Sequence, residues 1–304
     1  MSEETRNVSY EEAVKWARDY MRQKNISQAE FSRKLSISSG AVSSYLNGKY
    51  PNPETVTEKI VELMDMQAQK TLAPKAPEFV ETTVTRMVKQ AISYAHLRGV
   101  VSVAYGDAGV GKTTAVQQYL KENQLAIGIE IIPTYASMTG VNELLADELG
   151  SRERTDRKIT KDIISKLKGS GRVIIVDEAQ HLTVRAIEHL RSISDSTGIG
   201  ICFVGNESIY TKLLGTHKSE YAQLFSRIGV MKMVTTSTNS REDMDRIFGR
   251  YGLDEDSMKI LHQISRTNYG LRGAVNVYVN TIGVFDEINP ANLNKVIRDM
   301  GIAG

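Results

Sequence analysis

VVSVAYGDAGVGKTT, residues Val100–Thr114, is the stretch that decides the fold. Val100–Tyr105 is an apolar strand run, and the eight residues after it fit Gly-x-x-x-x-Gly-Lys-Thr. An amphipathic stretch follows, so strand, glycine loop and helix N-terminus come in the order a phosphate loop requires. Gly106, Asp107, Ala108, Gly109, Val110, Gly111, Lys112, Thr113 and Thr114 are the candidate nucleotide-binding residues. Glycines let consecutive backbone N–H groups turn inward onto phosphate oxygens, and the helix N-terminus adds its dipole. Lys112 is placed to reach the β- and γ-phosphates and the Thr113 hydroxyl to hold Mg²⁺. The reading predicts a nucleoside triphosphate site.

Working outward, Val173–Asp177 is a continuous Val/Ile run that ends in two carboxylates, Asp177 and Glu178. Parallel strands covered on both faces have this composition, and ligands sit beyond their C-terminal ends. Asp177 is expected to ligate Mg²⁺ through water and Glu178 to polarise an attacking water. The fold class is therefore α/β, a parallel sheet with helices on both faces. Ile199–Val204 is another apolar strand, closed by Gly205-Asn206. Asn206 suits a role in orienting that water, although Gly-Asn is also an ordinary turn. Arg227, at the end of Leu224–Arg227, suits contact across a subunit boundary. Arg272 lies in the helical C-terminal part, within reach of a γ-phosphate from a lid. Singly these three are weak signals; their order after both strands carries the weight.

That order, from Gly106 through Arg272, resembles the AAA+ ATPases. The resemblance implies ATP as nucleotide and hydrolysis as reaction, with Asn206 as sensor 1, Arg227 as arginine finger and Arg272 as sensor 2. It also implies a site shared between neighbouring subunits, and hence a ring or helical filament.

Composition sets bounds. A chain of 304 residues makes one large domain or two smaller ones, and 41% hydrophobic content is ample for a core. A net charge of +2 does not by itself announce nucleic acid. The single cysteine, Cys202, excludes an intramolecular disulfide framework and a cysteine zinc site. The start of the sequence lacks a basic–apolar signal peptide, and no apolar run approaches ~18 residues. A cytoplasmic protein with no membrane partner is expected.

Pro74 and Pro77 mark a semi-extended linker from about Gln69. Helical spacing precedes it: Ala13, Val14, Ala17 and Met21, then a capping-box signature at Ser27–Glu30, a short helix from Ser39 to Leu46, and a last helix opened by Pro53. Two short helices joined by a tight turn read as a helix-turn-helix, and the segment resembles the lambda-repressor-like group. Ser39, Ser43, Ser44, Tyr45 and Asn47 suit phosphate and base-edge hydrogen bonds, and Lys49 adds a charge. Up to Ala68, however, there are nine Lys/Arg against ten Asp/Glu. The segment suits either DNA contact or docking to protein, since fold alone does not fix function.

Helix-turn-helix, proline linker and AAA+ module together resemble the family of bacteriophage Mu transposition B proteins. The residues that carry this are Glu78–Thr85, Gly106–Thr113, Asp177–Leu182, Leu224–Arg227 and Tyr45–Tyr50, and coverage is nearly the whole chain. The resemblance implies ATP-dependent polymerisation on double-stranded DNA, largely without sequence preference, and delivery of that DNA to a DDE transposase. It further implies that the transposase stimulates hydrolysis and so produces target immunity. The chain departs from the family's pattern after the acidic strand, where Gln180 follows Ala179. By the same resemblance the non-specific DNA contact falls around Arg152–Lys168, with Arg157 and Lys158 the best matches and Arg152 and Lys166 nearby; an exposed helix of mixed charge is the competing reading. Thr139, in the loop after Ile127–Ile132, is a second DNA candidate.

The expected organisation is a helix-turn-helix domain at 1–68, a linker at 69–78, an ATPase core at 79–240 and a helical lid at 241–304. A replication initiator or helicase loader shares the module, and a nucleotide-gated transcription regulator would use the same N-terminal domain.

Overall fold

A computed structural model of the chain describes residues 8–214 and 228–302. Chain contacts divide it into two units, the first ending at Pro74 and the second beginning at Lys75. Among the described residues no helix is long and apolar enough to cross a membrane.

The first unit consists of α1 (Tyr10–Lys24), α2 (Gln28–Lys34), α3 (Ser39–Leu46) and α4 (Pro53–Leu72). Capping boxes open α1 at Ser9/Glu12 and α2 at Ser27/Glu30, so each helix start is fixed by reciprocal bonds between side chain and backbone. Ala13, Ala17, Phe31, Val42, Tyr45 and Ile60 close the core. Two expectations are corrected here. Tyr45 is not a surface contact: it is 1% exposed, packs edge-on against Tyr10, and its hydroxyl lies 2.6 Å from the Thr57 hydroxyl. The linker begins later than Gln69, because α4 continues to Leu72. Pro74 sets that stop, since the residue before a proline is pushed out of the helical region, and Ala73 has ψ 137°.

The second unit is built on five parallel strands: β1 (Val101–Gly106), β2 (Ala126–Glu130), β3 (Val173–Asp177), β4 (Gly200–Gly205) and β5 (Ile228–Val234). Their order in the sheet is β2-β3-β4-β1-β5. The three central strands are buried throughout, as their continuous apolar runs require. Their side chains alternate between faces. Val103, Ile174, Val176, Ile201 and Phe203 join one core with α7 (Met138–Glu148), α8 (Asp156–Leu167) and α9 (Val184–Thr197). Ala104, Ile175, Cys202 and Val204 join the other with α5 (Thr83–Arg98) and α6 (Lys112–Glu122). Cys202 is a fully buried core thiol whose pKa burial pushes up to about 12.

The region expected as a loop after β2 is mostly helical. A 3₁₀ turn at Pro133–Tyr135 leads into α7, whose cap is Ser137, with its side chain accepting from the Gly140 N–H. Thr139 therefore sits in the first turn of a helix. The helix α10 (Glu207–Leu214) follows β4. Beyond β5, the helices α11 (Arg241–Phe248), α12 (Glu255–Ser265), α13 (Gly270–Phe285) and α14 (Pro290–Asp299) close around Met244, Phe248, Leu261, Val277 and Leu293 as a separate core, the lid.

Candidate functional site

Strand order places the chemistry. β4 lies between β1 and β3, with Tyr105 opposite Gly205 and Phe203 opposite Val176. The residue that leaves β4, Asn206, therefore stands between the phosphate loop and the acidic strand end. Their C-terminal ends open onto a cavity of about 370 Å³. Its walls include Ala108, Gly109, Gly111, Lys112, Thr113, Thr114, Glu178, Asn206 and Arg272.

The loop has the shape its glycines allow, with φ +142° at Gly106, +71° at Gly109 and +110° at Gly111. A Cβ at Gly106 would lie 1.7 Å from the Val234 carbonyl oxygen of the adjacent strand, so only glycine fits where the loop leaves the sheet. Val110 is fully buried and anchors the loop from below rather than lining the cavity. Asp107 anchors it sideways: its Oδ2 accepts from Thr236 N–H at 2.7 Å. Lys112 Nζ donates to the carbonyls of Gly106 and Asp107 at 3.0 and 2.5 Å. Burial lowers the lysine pKa, opposed by the nearby carboxylates of Glu178, Asp177 and Asp107. The cation is thus held in a partly dry bowl beside the N-terminus of α6, where a phosphate would be its natural counter-ion.

Asp177 is 6% exposed at the end of β3, and burial raises its pKa. It accepts from the Glu178 N–H at 2.9 Å and from the Thr113 side chain. A hydroxyl and a buried carboxylate side by side form an all-oxygen donor set of the kind Mg²⁺ prefers, so the residues present fit that ion. Glu178 takes φ +53°, uncommon for a non-glycine residue and a form of strain concentrated at functional sites. Asn206 Oδ1 accepts from the Ser208 N–H at 2.9 Å, which fixes the amide and leaves its NH₂ as donor. Arg272 opens α13, and its backbone N–H donates to Gly109 O at 2.9 Å, so lid and phosphate loop meet directly. Arg227 lies outside the described residues.

One wall comes from the stretch Glu78–Thr85 that carried part of the resemblance. Residues 76–80, with Phe79 and Val80, line the cavity opposite Ile247, Leu271 and Val275 of the lid. The lid fastens this strap. Arg250 pairs with Glu78 at 2.9 Å, Arg246 donates to Glu81 O at 3.2 Å, and Asp243 Oδ1 accepts from Thr83 N–H at 2.8 Å. Asp243 Oδ2 also accepts from Ser240 N–H at 3.0 Å, so a single buried carboxylate caps both α5 and α11. Asp243→Ala leaves the Thr83 and Ser240 N–H groups, one at each of two helix N-termini, without their acceptor. The expected loss is about 2–3 kcal/mol, to be read as a lowered urea midpoint together with weaker ATP binding.

The candidate DNA residues divide. Arg152, Arg154, Arg157, Lys158 and Lys161 are exposed, and none forms an ion pair among the described residues. Lys166 is exposed but engaged: Nζ bonds Leu149 O and Gly150 O at 3.1 Å each, at the end of α7, and Asp162 of its own helix at 2.9 Å. The Thr139 hydroxyl donates to Asp156 Oδ2 at 2.7 Å and ties α7 to α8. In the first unit Ser39, Asn47 and Lys49 are exposed, Ser43 and Ser44 half-buried. Asn47 Nδ2 donates to Ser43 O at 2.9 Å, closing the end of α3.

Comparison with known proteins agrees with this geometry. Residues 95–213 match the AAA domain family and residues 6–58 the helix-turn-helix family. The chain is 31% identical over 269 residues to the Mu-like prophage FluMu DNA transposition protein B of Haemophilus influenzae, covering 86% of this chain and 93% of that protein. It is 29% identical over 278 residues to the ATP-dependent target DNA activator B of Escherichia phage Mu, covering 88% of each.

Proposed function

The chain belongs to the family of phage Mu and Mu-like prophage transposition B proteins, and from that premise we propose that it assembles on target DNA with ATP and presents that DNA to a transposase. It is an AAA ATPase. The observation that carries the reading is the convergence of Lys112, Glu178, Asn206 and Arg272 on one cavity. In use, the loop N–H groups and Lys112 hold the β- and γ-phosphates, the Asn206 amide and Glu178 orient a water, and Arg272 reports the γ-phosphate to the lid. Thr113 and Asp177 are the residues that would hold Mg²⁺, which supplies charge neutralisation at the phosphate oxygens. Arg227 completes the site from a neighbouring subunit of a ring or filament, and a DDE transposase stimulates turnover, clearing the DNA as in target immunity. The setting is the cytoplasm of a bacterial host.

DNA contact is assigned to the start of α8. Arg152, Arg154, Arg157 and Lys158 crowd a helix N-terminus, where cations are disfavoured by the dipole and an anion is welcome. Clustered unpaired charge at such a place suits a phosphate backbone. Replacing Arg152, Arg157 and Lys158 with Ala should lower the slope of log K against log salt by about one per residue. The loss should be the same on unrelated duplexes; sequence-dependent loss would assign these residues to base reading. Ser39, Ser43, Ser44, Asn47 and Lys49 provide a second, helix-turn-helix contact.

Electron microscopy with long random-sequence duplex tests the whole. ATP-dependent helical coating that disappears in Arg227→Ala supports it. Discrete binding at one sequence would point to a transcription regulator instead.

A further inference from the structure

Gln180 takes part in none of the roles above, yet both ends of its amide are engaged between the two strand ends. Its Nε2 donates to Glu178 Oε2, and its Oε1 accepts from the Asn206 N–H at 3.1 Å. The amide has only one workable orientation. A backbone N–H can only donate and a carboxylate only accept, so a flipped amide would set donor against donor and acceptor against acceptor. Room for it comes from Gly205, where a Cβ would lie 2.5 Å from Gln180 Oε1. The turn that carries it is held from behind, because Lys212 Nζ on α10 donates to the carbonyls of Gln180 and Leu182, the latter at 2.9 Å. Glu178, Gln180, Gly205 and Asn206 all line the nucleotide cavity. The His181 ring, 4.0 Å from Glu178 Oε2, is too far to replace the amide.

We propose that Gln180 is a positioning residue for hydrolysis: its carboxamide spans β3 and β4, aims the Glu178 carboxylate into the cavity, and ties that aim to the backbone of Asn206. Glu178 leaves β3 at φ +53°, and the bridge from Gln180 Nε2 selects one of its rotamers. A γ-phosphate that draws on Asn206 thereby acts on Glu178 through one side chain. The inference rests on Glu178 as the residue that polarises water.

The test measures ATP turnover by the full chain with duplex DNA present, in Gln180→Ala, Gln180→Glu, Glu178→Gln and the Glu178→Gln/Gln180→Ala double variant. Gln180→Ala should lower kcat roughly 10- to 100-fold, the range for a group that orients a reacting residue, with KM within about two-fold. Gln180→Glu matches glutamine in size, so a space-filling role would leave it near normal. Positioning predicts a loss at least as large as that of alanine, because a second carboxylate then faces Glu178. The double variant should be no slower than Glu178→Gln alone, since Gln180 acts only through that carboxylate. An ATP-induced rise in Tm in every variant confirms folding and binding. Normal kcat in Gln180→Ala, recovery in Gln180→Glu, or additive losses would overturn the proposal. If Glu178→Gln itself turns over normally, the assignment of Glu178 falls and the proposal with it; if only Gln180→Ala is silent, Glu178 stands alone.

Discussion

Lys112→Ala loses ATP binding, with affinity falling at least about 100-fold, as expected when a charge-assisted contact of about 3 kcal/mol to phosphate is removed. The structural reason goes beyond one lost contact. Lys112 is the cation facing Asp177, Glu178 and Asp107, and its ammonium is braced on two loop carbonyls. Without it, a triphosphate enters a bowl in which those carboxylates are offset by Arg272 alone among the described cations of the cavity wall, so attraction is weakened. Thermal unfolding at graded ATP concentrations provides the check. Ligand that binds only the folded state raises Tm by mass action, and the variant should show no rise at concentrations that shift the unmodified chain. A preserved shift would mean that the loop N–H groups suffice. The same variant should leave long duplex uncoated in the microscope.

Glu178→Gln gives the opposite division: hydrolysis falls at least about 100-fold, as for loss of a general base, while ATP still binds. Glutamine keeps the length and volume of glutamate, and its amide oxygen still accepts from Gln180 Nε2. It cannot draw a proton from water. Lys112, Thr113 and the loop are untouched, so the nucleotide stays in place. Assemblies formed with ATP should consequently persist, seen as protein that continues to sediment with duplex long after the unmodified chain has released it. Turnover at the normal rate would move the water-activating role away from Glu178.

The sequence made some of this plain and concealed the rest for identifiable reasons. The three central strands are apolar along their whole length and the loop between β1 and α6 needs glycine, so the fold and the place of that loop could be read from runs of neighbouring residues. The capping boxes at Ser9 and Ser27 and the stop at Asn47-Gly48 likewise act over three or four positions. Contacts between distant residues left no such trace. Asp243 and Thr83 are 160 positions apart, and Gln180 meets Asn206 across 26. Nothing in a local pattern announces either pairing. Lys166 illustrates the same limit, because its surroundings are as basic as those of Arg157 while its ammonium also bonds the end of the helix before it. Thr139 was expected in the loop after Ile127–Ile132, but Ser137 caps a helix there.

The fastening of residues 78–83 has a consequence for how the molecule can be modified. Every residue that lines the nucleotide cavity comes at or after Ala76, and contacts divide the chain just before, between Pro74 and Lys75. The strap is secured by Arg250, Arg246 and Asp243 of its own unit. A graft at Pro74 would therefore exchange the first four helices while the described walls of the ATP site keep the supports that their own unit supplies.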